Sequence, residues 1–160
     1  MEYPLLEGAL KICIVGPSGS GKTTLAAKLI ANEESVFKRP HKTVIFCHEF
    51  LDPLFRQLAK DLGERGVTVR TNHGLPNEII ADYEASGGAT EPTLIVIDDL
   101  ILRLAKDPEQ TEKLFVWGSS KLNLDVMILV QNLYHKSLRN ISLQWYVVLV
   151  KKVTVLYCSR

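Results

Sequence analysis

Short, nearly continuous apolar runs recur along this chain, separated by longer segments of mixed polarity. Residues 10–15 (Leu-Lys-Ile-Cys-Ile-Val), 43–47, 67–69, 93–97, 125–130 and 145–150 are such runs. A strand covered on both faces reads this way, because neither side of its pleat meets water. The segments between them carry a helical period. Over residues 54–62, apolar side chains fall at Leu54, Phe55, Leu58, Ala59 and Leu62, behind an Asp52-Pro53 start signal. Pro76 opens a second helix to about residue 84, stopped by Ser86-Gly87-Gly88. Pro108 opens a third to about residue 121, with Leu114, Phe115 and Trp117 available for packing. Residues 33–42 are polar around Pro40 and predict a loop, and residues 100–105 are irregular or helical. Residues 137–143 form a connector, and 153–157 offer one more strand after Lys151-Lys152. Buried strands alternating with helices predict an α/β fold with a mainly parallel sheet between two helical layers.

Between the first strand and a helix read from Thr24 to about Asn32 lies Gly16-Pro17-Ser18-Gly19-Ser20-Gly21-Lys22-Thr23. It fits G-x-x-x-x-G-K-[ST], and strand, glycine-rich turn and helix are the context that motif needs. Glycines let consecutive N–H groups turn toward phosphate oxygens, and the helix behind them adds the positive end of its dipole. Lys22 can reach the β- and γ-phosphates of ATP, and Thr23 can offer its hydroxyl to Mg²⁺. The fold class becomes a three-layer P-loop NTPase.

Composition adds bounds. The chain has 160 residues, 46% of them hydrophobic, with a net charge of +1. That suits one domain over 1–160, with its core at about 10–151 and a divergent tail at 152–160. A nearly neutral chain grips DNA only through a local patch or several subunits together. The densest basic run is Lys38-Arg39-Pro40-His41-Lys42, which reads as a solvated loop. Cys13, Cys47 and Cys158 lack C-x-x-C spacing and read as reduced thiols of a soluble intracellular protein. No apolar run is long enough to span a membrane.

In a parallel sheet, ligands sit beyond the carboxyl ends of the strands. Asp98, after Leu94-Ile95-Val96-Ile97, is placed as the Walker B aspartate for Mg²⁺. Asp99 can deprotonate the attacking water or, alternatively, cap a following helix. Gln131 closes another buried strand and can hydrogen-bond the γ-phosphate. The strands at 43–47 and 67–69 provide material for a strand inserted between the phosphate loop and Asp98. This arrangement points to the additional-strand, RecA-like branch.

Residues 16–24, Leu94-Ile-Val-Ile-Asp-Asp-Leu100 and Val126-Met-Ile-Leu-Val-Gln-Asn-Leu-Tyr134 occur in order. Over about residues 10–151 the chain resembles the FtsK/HerA-type genome-packaging ATPases, most closely those of Polinton/Maverick elements, with adenovirus and poxvirus packaging ATPases more distant. The resemblance implies a homo-oligomeric ring that drives double-stranded DNA through a capsid portal, in the nucleus or at a viral assembly site. Lys22, Asp98, Asp99 and Gln131 would be its catalytic set, Thr23 and Asp98 its Mg²⁺ ligands. Relatives carry a basic stretch before the strand ending at Gln131, where residues 119–124 supply only Lys121, leaving Arg103 and Arg139 as candidates for a trans-acting arginine. Relatives also continue beyond the last strand, so a shortened C-terminus is expected here. Two other readings are a nucleotide-binding module without turnover and a nucleoside or nucleotide kinase. The kinase would need an arginine-bearing lid that residues 103–113 supply poorly.

Overall fold

The structure is a computed structural model that describes residues 5–6, 9–114, 119–132, 146–151 and 154–159. Its elements run β1 (Lys11–Val15), α1 (Lys22–Ala31), α2 (Glu33–Val36), β2 (Thr43–His48), α3 (Pro53–Glu64), β3 (Thr68–His73) and α4 (Asn77–Ser86). They continue with β4 (Thr93–Asp98), α5 (Ile101–Lys106), α6 (Pro108–Glu112), α7 (Ser119–Lys121), β5 (Leu124–Val130), β6 (Tyr146–Lys151) and β7 (Thr154–Ser159).

The strands form one sheet in the order β3-β2-β4-β5-β1-β6-β7. Every pairing is parallel except β6 with β7. Alternate residues of each central strand feed opposite faces. Cys13, Val15, Ile95, Ile97, Val126 and Ile128 pack with Ile79, Ile80 and Leu104 of α4 and α5. Ile12, Ile14, Val96, Met127 and Leu129 pack with Ala26, Ile30, Phe55, Leu58 and Leu62 of α1 and α3. That explains the unbroken apolar runs. Cys13 and Cys47 are buried in this core, and burial pushes both thiols up to about 12, far from reactivity.

Three expectations change. The strand inserted between β1 and β4 is β5, from later in the chain, and not one of those read at 43–47 and 67–69. Burial is the reason: β5 is enclosed over almost its whole length, so it belongs at the centre. The strand at 67–69 extends to Thr68–His73, and its exposed Thr-Val-Arg-Thr-Asn-His sequence suits the sheet edge it occupies. The loop read over 33–42 contains the short helix α2 and a buried histidine.

That histidine, His41, ties three elements together. Its Nδ1 meets Glu33 Oε1 at 2.8 Å and its Nε2 meets Asp125 Oδ2 at 2.7 Å. Its backbone N–H donates to Glu33 Oε2 at 2.9 Å. Asp125 Oδ1 accepts from Leu10 N–H at 2.7 Å, beside the start of β1. Within the run read as a solvated basic loop, Lys38, Arg39, Pro40 and Lys42 are exposed and His41 is not. Phe115, Trp117, Arg139 and the connector at 137–143 lie outside the described residues. Among the described residues, no helix is long and apolar enough to cross a membrane.

Candidate nucleotide site

Because β1, β4 and β5 are parallel neighbours, their carboxyl ends open on one edge. Each end carries one part of the site read from sequence. The phosphate loop leaves β1, the acidic pair leaves β4, and Gln131 leaves β5. Backbone hydrogen bonds fix their spacing: Gly16 N–H donates to Val130 O at 3.1 Å, and Asp99 N–H donates to Leu129 O at 3.2 Å.

The phosphate loop turns through Gly19 at φ 73° and Gly21 at φ 96°, a left-handed backbone that a Cβ would strain. Gly21 then stands at the N-cap of α1 and provides no side-chain cap, leaving the dipole end of a ten-residue helix facing the cleft. Lys22 Nζ donates to Gly16 O at 2.7 Å and to Pro17 O at 3.0 Å. Burial lowers the Lys22 pKa, while Asp99 and Asp98 act to raise it.

A cleft of about 660 Å³ brings the predicted groups together. Ser18, Gly19, Gly21, Lys22, Thr23, Thr24, Asp98, Asp99 and Gln131 line it. Asp98 has its carboxyl pushed up to about 6, first by burial and then by Asp99 and Asp52, with Lys22 opposing. Asp99 sits at φ 53°, a conformation aspartate tolerates better than most residues. It does not cap the next helix: the N-cap of α5 is Leu100, and no side chain closes it.

Three lining residues had not been assigned to the site from sequence: Glu49, Phe50 and Asp52. All follow β2, the neighbour of β4. The strand-end rule that finds Gln131 finds Glu49 once β2 is known to lie beside β4. Asp52 does cap α3, accepting from Leu54 N–H at 2.8 Å, and it also faces the cleft. Phe50 stands 89% exposed at the mouth.

The residues present fit a nucleotide and its metal. Ser20 Oγ is buried without a hydrogen-bond partner among the described residues, beside a helix end that lacks a cap. A polyphosphate satisfies both. Thr23 and Asp98 present hard oxygen donors of the kind Mg²⁺ takes.

Sheet order and cleft together define a three-layer α/β P-loop nucleotide-binding domain of the additional-strand type. The AAA-domain family model matches residues 6–133, and the chain belongs to that family of ATPases. A comparison with curated proteins gives no match. Among solved structures, the chain is similar to EssC (ATPases 2 and 3) from Geobacillus thermodenitrificans, with TM-score 0.58 and 11% identity over 94% of this chain and 38% of that one. It is also similar to Thermomonospora curvata EccC (ATPases 2 and 3), determined in complex with a signal sequence peptide. There the TM-score is 0.59 and identity 12%, over 88% of this chain and 29% of that one. The chain thus spans well under half the length of either structure, and the likeness at such identity is one of fold.

Proposed function

We propose that this domain hydrolyses ATP with Mg²⁺ and serves as one subunit of a ring that moves double-stranded DNA, through a portal, into a capsid. The carrying observation is the convergence of Lys22, Thr23, Asp98, Asp99 and Gln131 on one cleft. Lys22 exchanges the carbonyls of Gly16 and Pro17 for the β- and γ-phosphates. Thr23 and Asp98 would hold Mg²⁺, which would supply positive charge against the phosphates. Asp99 accepts the proton of the attacking water as its oxygen bonds to the γ-phosphorus. The bond to the β–γ bridging oxygen breaks, and ADP leaves with that electron pair. Gln131 holds the γ-phosphate through its amide.

The DNA-moving part of this reading is supported by the order and spelling of the three sequence elements, which resemble packaging ATPases. Phosphate release is the test, measured with and without double-stranded DNA for wild type and Lys22→Ala. DNA-stimulated release that Lys22→Ala abolishes is the expected outcome. Equal release from both proteins overturns the ATPase reading, and DNA-indifferent release overturns the motor.

A second reading, a nucleotide-binding module without turnover, is favoured by the charges in the cleft. Glu49, Asp52, Asp98 and Asp99 line it, and Lys22 is the sole cationic side chain among its described lining residues. ATP binding without phosphate release, even with DNA present and at high concentration, is its signature.

A further inference from the structure

One arginine stands a single ion pair away from this acid-rich cleft. Arg103 is not part of the lining, but its Nε donates to Glu49 Oε1, and Glu49 is. Arg103 lies in the first turn of α5, its N–H bonded to Leu100 O at 3.0 Å, four positions after Asp99. Its guanidinium also lies against the turn after β3: a Cβ at Gly74 would come within 3.3 Å of Nη1. The turns after β2 and β3 therefore meet at this one side chain.

We propose that Arg103 is a γ-phosphate ligand of this same chain, held in reserve by Glu49 while the cleft is empty and released to ATP when Mg²⁺–ATP enters. The proposal rests on the ATP reading above.

Four observations carry it. The cleft places four carboxylates against Lys22, so a triphosphate needs more positive charge than Mg²⁺ and one lysine bring. Glu49 is the lining carboxylate that holds an arginine, the closest further cation by this contact. The two side chains are 46% and 44% exposed, so water competes for both partners. An exposed pair of this kind contributes little and opens readily. Finally, Arg103 acts first by hydrogen bond and then by charge to hold the Glu49 carboxyl below its usual range, so Glu49 remains an anion that incoming phosphate repels. A terminal phosphate offers a guanidinium more acceptor oxygens, in a geometry its planar fork matches.

Affinities for Mg²⁺–ATP and Mg²⁺–ADP, measured by calorimetry, test the proposal on wild type, Arg103→Ala, Arg103→Lys, Glu49→Gln and Lys22→Ala. Arg103→Ala is expected to lose about tenfold in ATP affinity and to leave ADP unchanged, as for one charged hydrogen bond. Arg103→Lys retains part of that preference. Glu49→Gln binds ATP several-fold more tightly, since it frees Arg103 and removes an anion. An unchanged ATP-to-ADP ratio in Arg103→Ala overturns the proposal, as does equal weakening of both nucleotides or weaker ATP binding by Glu49→Gln. If ATP binding depends on Lys22 and ignores Arg103, only this proposal falls. If wild type binds no more nucleotide than Lys22→Ala, the ATP reading falls with it.

Discussion

Asp98 is buried beside other carboxylates, where its charge is costly to the empty protein. Its carboxyl titrates at about 6 in the fold against a usual 3.8. A raised acid pKa means that the folded state keeps the proton longer than the unfolded one. Stability therefore falls as pH rises from about 4 to 6, and at neutral pH the ionised side chain is a net cost. Asp98→Asn is expected to stabilise the ligand-free protein by about 1 kcal/mol at pH 7 while removing Mg²⁺-dependent turnover. Thermal melts across pH check this, with the gap between variant and wild type closing toward pH 4. Lys22, Thr23 and Asp98 were legible in the sequence because a phosphate loop and a strand ending in aspartate are local patterns. Glu49 and Asp52 reach the same cleft only because β2 lies beside β4, and no short window of sequence states which strands are neighbours.

Most elements followed from their own residues. The apolar runs became the central strands, and Asp52-Pro53 opened α3 as its chemistry requires. Order within the sheet was the harder matter, since it depends on competition among strands for full burial. β5 wins the place between β1 and β4. Its entry is set by a tight crossing, where Ala89 N–H donates to Leu122 O at 2.7 Å and Asn123 Nδ2 donates to Ala89 O at 3.2 Å. Gly88 permits that approach, at φ 108° and with a would-be Cβ only 3.0 Å from Leu122 O. Gly88→Ala is expected to cost about 2 kcal/mol through backbone strain and this clash. A lower denaturant midpoint with an unchanged slope is the result to look for.

Across the whole molecule, the two edges of the sheet have different tasks. The carboxyl edge carries the cleft, and the opposite edge carries the tie between His41, Glu33 and Asp125. That tie escaped the sequence because a histidine in a basic run looks like surface, and its two carboxylates come from positions 33 and 125. Burial alone would lower the His41 pKa, but hydrogen bonds and charge from Asp125 and Glu33 prevail and lift it to about 9 from 6.5. For a raised histidine, the stabilisation is complete below about 6.5 and lost as pH climbs through 9. Stability is expected to decline by roughly 3 kcal/mol across that window. His41→Gln should be less stable at pH 6 and show no such decline, as followed by urea unfolding at several pH values.

The hydrogen bonds from Gly16 to Val130 and from Asp99 to Leu129 bear on how the cleft can open and close. Phosphate loop and acidic pair are anchored to successive peptide groups of one strand. Neither can shift against the other without breaking the central ladder. Mechanically they form the fixed jaw of a vice. The moving jaw must come from residues outside that anchorage, and Glu49, just past the end of β2, is one of them.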